Sequence, residues 1–407
     1  MNPRRWAALR GLPAQILIAL GVGAGIGWLW PQMGQRLEVL ATIFIRLVMM
    51  IIAPLVFATL VVGIAGSGEL RKLGSMASQA LIYFLIITAV AMGLGFAIGN
   101  LLPPGQGLPP PTGAVPPQLG PADESFWVRL VPRSIVEAMA RGDVLQIVVF
   151  SLLFAVALAA SGARGQAVLD FCRALAQVMY RLTDIVMKVA PIGVLGASAA
   201  LVGQHGWRVG ESFFWLAVGV YAGLAVIFFG LYPLLCWGFR IPVVGFFRAI
   251  QEPFAIAFAT TSSAAALPKA MEAMEGFGVP RRVVAFVLPT GYSFNLAGGA
   301  LFIGVAALFT TQAFHIPLSF GDQLTLFGTL YIASKGIATI PRGSLIGLAA
   351  GLTSFGVSPP TVAASFGFLL AIDPILDMPR TGVNLAGNCL ATALVARWQG
   401  SLGQREG

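Results

Sequence analysis

Apolar runs long enough to cross a bilayer alternate along this chain with short polar or basic punctuation. Charge-free stretches cover Gly11–Gln35, Val144–Ala163, Ser212–Phe239 and Val283–Gly321, and each reaches the roughly 20 residues that a helix needs to cross about 30 Å of hydrocarbon. The pattern predicts spanning helices near 13–30, 37–65, 78–102, 140–162, 167–203 and 212–239, then a different kind of sequence from 243 onward. There, sixteen uncharged residues lie between Glu252 and Lys269 and are interrupted by Thr260, Thr261, Ser262 and Ser263. As a helix they would reach only ~24 Å. Such a segment reads as a re-entrant hairpin, its irregular tip tolerated at membrane depth only inside protein or against water; an ordinary cytoplasmic loop is the plainer alternative. A second broken segment runs from Ser334 to Gly347, where Gly336, Pro341 and Gly343 interrupt the helix. The order is broken segment, long span, broken segment, long span, a pattern that points to a transport site between inverted repeats.

The last span, from about Thr361 to Arg397, carries Asp373, Asp377, Arg380, Thr381, Asn384 and Asn388 in an otherwise apolar stretch. On a helical wheel these six residues fall in one stripe about 100° wide. Ionisable groups at membrane depth cost at least ~2.5 kcal/mol each, so the stripe is expected to face the protein interior and to do something there. Arg380 stays charged and matches a carboxylate with two parallel donors, while Asp377, one turn earlier, can take an ammonium. Together they would read an acidic amino acid. Two plainer readings stand beside this one. Asp377 and Arg380 can simply pair at i, i+3, and Asn384 and Asn388 can be interhelical hydrogen-bonding glue.

Composition sharpens the class. Of 407 residues, 57% are hydrophobic and 10% charged, outside the usage of soluble domains. The net charge of +9 does not imply nucleic acid, because Lys and Arg are scattered between apolar segments as topology signals. Arg4, Arg5 and Arg10 precede the first span and Arg71 with Lys72 follow the second, which places both on the cytoplasmic side. The connector from Pro103 to Phe126 has eight prolines and no Lys or Arg, as expected outside the cell. Both termini are then cytoplasmic, and the first helix is a retained span with Trp30 at the interface rather than a cleaved leader. Cys172, Cys236 and Cys389 sit in apolar contexts without metal spacing and are expected to pack. His205 and His315 lie near span ends, giving little support to zinc chemistry or a histidine relay. A membrane enzyme is the rival class. Asp373 and Asp377 share one helix instead of facing each other across two, and no general base accompanies Ser262 or Ser263. An ion channel is a second rival, which saturable, stereoselective flux would exclude.

Four motifs in order, TTSSAAALP at 260–268, PTGYSFNLAGG at 289–299, SKGIATIPRGS at 334–344 and IDPILDMPRTGVNLAGN at 372–388, make the chain resemble the dicarboxylate/amino acid:cation symporters, which include the glutamate transporters. The resemblance implies an all-α membrane protein with eight spans, two re-entrant hairpins and inverted repeats, assembled as a homotrimer in the inner membrane and moving its substrate by an elevator-like shift. The scaffold would come from residues 1–77 and 127–208, and the moving transport domain from 78–102 and 209–398. Carried over by motif, Arg380 would hold the side-chain carboxylate of a small anionic amino acid and Asp377 its amino group. Thr381 and Asn384 would serve the amino and α-carboxylate ends. Backbone near Ser262 and Ser263, and near Ile340 and Gly343 in the second tip, would help, since broken-helix amino ends carry partial positive charge. Gly299 stands where relatives often have a contacting Thr, and Thr261 where some supply Arg.

The implied coupling positions are Thr88, Ser293, Asn295, Ala297, Ser334, Lys335, Asp373 and Asn388. Sodium-coupled relatives carry acids where this chain has Ala297 and Asn388, and Phe84 and Ile87 replace third-span hydroxyls, leaving Thr88. A cation taken out of water needs a shell of oxygens and a nearby negative charge, so two sodium sites are expected to be absent or weak. A third, made of backbone carbonyls, lies beside Lys335, whose ammonium is expected to take the cation's place. No cofactor is implied. Proton coupling is favoured over sodium, with Asp373, Asp377 and Glu252 as the available carboxylates and Glu252 more at home exposed at the hairpin base. Uncoupled transport and C4-dicarboxylate carriage are the remaining alternatives, and the role of Arg342 is left open.

Overall fold

The computed structural model describes residues 12–65, 74–106, 128, 131–206, 208–335 and 343–403. Among them every regular element is a helix. Helices α1 (Leu12–Leu29), α2 (Pro31–Arg36) and α3 (Glu38–Ala65) open the chain, and α4 (Ser75–Leu101) follows. After the short α5 (Ile135–Arg141) come α6 (Val144–Ala160), α7 (Gln166–Met187) and α8 (Ala190–His205). The expected single span over 167–203 is instead this α7–α8 pair, bent by 50°. The bend falls just before Pro191, which sits in the first turn of α8, where its missing N–H costs nothing. Helix α9 (Arg208–Ala225) passes through a π-helical turn into α10 (Tyr232–Gly238). By length and composition, six helices among the described residues can cross a membrane, or seven if the bent pair is one span, and the protein is a multi-pass membrane protein.

The segment from 243 folds as α11 (Val243–Thr260) and α12 (Ser263–Gly276), packed on each other around a two-residue turn. The loop alternative is therefore replaced by a helical hairpin. Thr261 makes the turn with φ of 52°, a left-handed conformation that costs a β-branched residue roughly 1–2 kcal/mol. Ser262 then caps α12, its Oγ accepting from Ala265 N at 3.3 Å.

Next come α13 (Arg281–Phe294) and α14 (Ala297–Ala313). Here the expected unbroken span is corrected: the backbone is extended at Asn295 and non-helical at Leu296, and side chains from the last helix meet the groups the break exposes. Helix α14 is buried nearly all round, as its uniformly apolar sequence requires. It lies tightly on α4, where a Cβ added at Gly304 would come within 2.7 Å of the Met92 carbonyl. Helices α15 (Phe320–Lys335) and α16 (Gly343–Phe355) pack as a second hairpin. Ile340 and Arg342, in its connecting segment, fall outside the described residues, as do Arg4, Arg5, Arg10, Arg71, Lys72 and most of the proline-rich connector. Helix α17 (Pro359–Trp398) runs 40 residues and touches α11, α12, α13, α14 and α16.

Packing is uneven. Helices α1, α3, α6, α7 and α8 make most of their contacts with one another, and α4 packs chiefly on α14. Where α3 and α8 meet α17, a cavity of about 280 Å³ is lined by Glu38, Arg46, Ala200, Gln204, Ala364 and Phe368.

Candidate functional site

Two prolines lie inside α17, Pro374 and Pro379. Lacking an N–H, Pro379 leaves the carbonyl of Ile375 without its usual intrahelical donor. The Tyr221 hydroxyl donates to that carbonyl at 2.9 Å, so the helix keeps its course through the polar stripe.

The stripe faces inward as expected. Arg380 is 1% exposed and Asp373 fully buried. Arg380 Nη2 donates to Asp373 Oδ1 at 2.9 Å and to Asp377 Oδ1 at 2.5 Å. The Phe302 ring of α14 covers the guanidinium, 4.3 Å from its carbon. Asp377 and Arg380 thus do pair, as the plainer reading held, but in a three-member cluster rather than as a lone surface pair. Two carboxylates converge on one nitrogen, while Nη1 has no hydrogen-bond partner among the described residues. An unsatisfied donor on a buried guanidinium is costly.

One turn further, Asn384 Oδ1 accepts from the backbone N–H of Gly298 at 2.8 Å and of Gly299 at 3.3 Å. It caps the broken end of α14 from another helix. Asn295 Nδ2 donates to Asn388 Oδ1 at 2.9 Å, joining the break to the stripe with a neutral pair. Asn295 Oδ1, Asn388 Nδ2 and the Tyr292 hydroxyl are buried without partners among the described residues. Ala297 begins α14 and is buried, and Thr381 is 7% exposed on the stripe. The interhelical-glue reading of Asn384 and Asn388 is correct as structure, and it binds them to the break in α13–α14 specifically.

Ser263 is buried in the first turn of α12, and Ser262 is occupied as its cap. Thr88, Gly299, Ser334 and Lys335 line one small cavity, with about 10 Å³ of free volume. Gly343 begins α16. Ser293 lies in the last turn of α13, and its side chain falls outside the described residues. Glu252 is exposed and lies 3.9 Å from Lys269 across the base of the first hairpin, so it does not join the buried carboxylates. The three cysteines are buried and unpaired by disulfides, consistent with packing.

Four residues escaped the sequence reading. Phe302, Tyr221 and Tyr331, whose hydroxyl donates to the Leu85 carbonyl at 2.9 Å, are single aromatics in apolar runs, and nothing in their spacing marks them. Ser344 stood inside a noted motif without a role. Its Oγ would lie 2.7 Å from a Cβ added at Gly299, so the serine fills the space that a larger residue at 299 would take.

The chain as a whole is similar in sequence to known transport proteins. The chain is 40% identical over 400 residues to the proton/glutamate-aspartate symporter of Bacillus subtilis, covering 96% of both. It is 37% identical to C4-dicarboxylate transport protein 1 of Mesorhizobium japonicum, covering 96% of this chain and 83% of that one. It is 39% identical to the C4-dicarboxylate transport protein of Agrobacterium fabrum, covering 96% and 89%. The model of the sodium:dicarboxylate symporter family matches residues 12–398, and the protein belongs to that family.

Proposed function

We propose that the protein is a secondary transporter of acidic amino acids, aspartate or glutamate, which moves its solute without transforming it and couples to protons rather than sodium. The observation that carries this reading is the buried guanidinium of Arg380, held between Asp373 and Asp377 with one open donor edge. The open Nη1 suits a substrate carboxylate, and Asp377, whose side chain keeps 15% exposure, suits the ammonium. Thr381, Asn384, Gly299 and the two hairpin tips complete the site. The similarity to a proton/glutamate-aspartate symporter supports the same solute and ion. So do the neutral Asn295–Asn388 pair and Ala297, which offer no anionic oxygen to sodium.

Because Arg380 is sealed, substrate reaches it only when a neighbouring element moves, and the second hairpin is the element we assign to this. We place the chain in the inner membrane as a homotrimer of eight spans and two re-entrant hairpins in inverted repeats, with both termini cytoplasmic. Residues 1–77 and 127–208 form its scaffold; 78–102 and 209–398 form the block that shifts as an elevator. The uneven packing supports the division.

A C4-dicarboxylate carrier is the second reading, favoured by the relatives of that name. A sodium-coupled carrier that keeps only a backbone-carbonyl site is a variant of the first. Uptake of labelled aspartate, glutamate and succinate into proteoliposomes, with sodium and pH gradients imposed separately, decides among them. The expected result is amino-acid uptake exceeding succinate uptake, driven by a pH gradient in sodium-free buffer. Succinate preference would remove the role of Asp377, and uptake driven only by sodium would remove proton coupling.

A further inference from the structure

Helix α3 carries one charge beyond its first residue. From Val39 to Ala65 every residue except Arg46 is uncharged, and an arginine about 12 Å along a spanning helix is costly unless it has a task. Arg46 is exposed and makes no hydrogen bond or ion pair among the described residues. It lines the cavity of about 280 Å³ between α3, α8 and α17. Glu38, the other charged group in that lining, lies about two turns away along α3. Its Oε2 accepts from Gln204 Nε2 at 3.2 Å, so α8 already holds it.

The walls differ in character. Thr42 and Gln204 are the remaining polar side chains, and both belong to the α3–α8 side. The α17 wall is wholly apolar, made of Ala363, Ala364, Gly367 and Phe368. The gap is also local. On an adjoining stripe of α3, Val48, Ile51 and Leu55 close against Ile346, Phe366 and Leu370, leaving only about 20 Å³. A space of about 280 Å³ holds roughly nine or ten non-hydrogen atoms, taking the share of a water, about 30 Å³, for each. One side presents a planar fork of donors that matches a carboxylate, and the other presents apolar surface. An acidic amino acid fits poorly, because its second carboxylate would lie on alanine and phenylalanine without a partner.

We propose that this cavity binds a single-chain anionic amphiphile, a carboxylate on an alkyl chain of about ten carbons. Its head group pairs with Arg46 and its chain lies along the α17 wall. Bound there, it wedges α17 against α3 and α8. Slower transport follows only if α17 moves as proposed above; binding does not depend on that motion.

The test uses the full chain, with decanoate as the probe and decanol as the uncharged control. Thermal unfolding in detergent reads binding. Exchange of labelled aspartate in proteoliposomes, at equal aspartate and equal pH on both sides, reads transport without a gradient that a fatty acid could dissipate. Decanoate is expected to raise the Tm of the wild type saturably, as ligand linkage requires, and decanol is not. At about ten times its Kd, decanoate should lower the maximum rate of exchange about tenfold and leave the half-saturating aspartate concentration unchanged. Arg46→Gln should lose both responses, since glutamine has neither the charge nor the fork. Ala364→Leu, which fills the cavity with Arg46 intact, should lose them too, and it decides the matter if Arg46→Gln does not fold. A wild type whose Tm ignores decanoate overturns the proposal. Equal responses to decanol also overturn it, since the guanidinium would be idle, as does a decanoate response that survives in both variants. A rise in the half-saturating aspartate concentration would place decanoate at Arg380 and overturn it as well. Binding that leaves exchange at full speed overturns the wedge while upholding the site. A wild type that exchanges no aspartate sinks the transport reading, and the Tm series then decides the site by itself.

Discussion

Arg380 shows how a single residue organises this site. Its Nη2 holds two aspartates and its Nη1 is open, so a lysine there would keep the charge and lose the fork. Arg380→Lys is expected to weaken aspartate affinity by about a hundredfold, the scale of a charge-assisted hydrogen bond with its geometry; unchanged affinity in competitive uptake would remove the carboxylate assignment. Asp377→Asn removes a charge but little volume. It is expected to lower amino-acid uptake about tenfold or more while sparing succinate, because only the amino acid presents an ammonium. Equal losses for both solutes would assign Asp377 to holding Arg380 alone. A third prediction concerns the neighbouring contact. Gly299→Thr places atoms into Ser344 Oγ, and overpacking of this kind costs about 1–3 kcal/mol. The single variant should melt lower and transport more slowly, and Gly299→Thr with Ser344→Gly should recover most of both. A strictly additive double variant would show that the two positions do not share one space. The charged members of the site were legible in the sequence because an ionisable group is too costly to leave in an apolar membrane helix without a task. Ser344 was not, because its partner is a glycine 45 positions away.

At the scale of the element, α17 carries the stripe across its own prolines. The Tyr221 hydroxyl supplies the donor that Pro379 cannot, and Tyr221→Phe should lower stability by about 1 kcal/mol with the carbonyl left unpaired. Thermal unfolding in detergent measures this, and an unchanged Tm would mean that the Ile375 carbonyl finds another partner. The hydrophobic pattern anticipated α17 within a few residues, along with the first hairpin, because length and hydroxyl content are local properties. It missed the break at Asn295–Leu296 and the bend between α7 and α8. The break sits in a charge-free run that reads as helix throughout, and it is held from about ninety residues later by Asn384, which accepts from the backbone N–H groups of Gly298 and Gly299 that the missing turn leaves without a partner, and by Asn388, which accepts from the Asn295 side chain.

For the whole molecule, the proposed elevator requires α17 and its hairpins to slide against α3 and α8. Ala200 and Ala364 line the cavity between them. Cysteines at these two positions, joined by a short bifunctional reagent, should arrest transport while leaving aspartate binding in place; uninterrupted transport in the cross-linked protein would rule out the relative motion. The amino-acid sequence by itself determined that the chain lives in a membrane, that its second half breaks into hairpins, and that one helix face carries an arginine among acids and amides. Those properties follow from hydropathy, helical period and the cost of burying charge, all of which act within a few turns of chain. Only the tertiary structure decided that the arginine is shared by two carboxylates under an aromatic ring, that the Asn384 amide of α17 caps a helix broken elsewhere, and that Lys335 meets a cavity built from four elements. Each of these depends on atoms brought together from distant parts of the chain, and no local periodicity encodes which donor will find which acceptor.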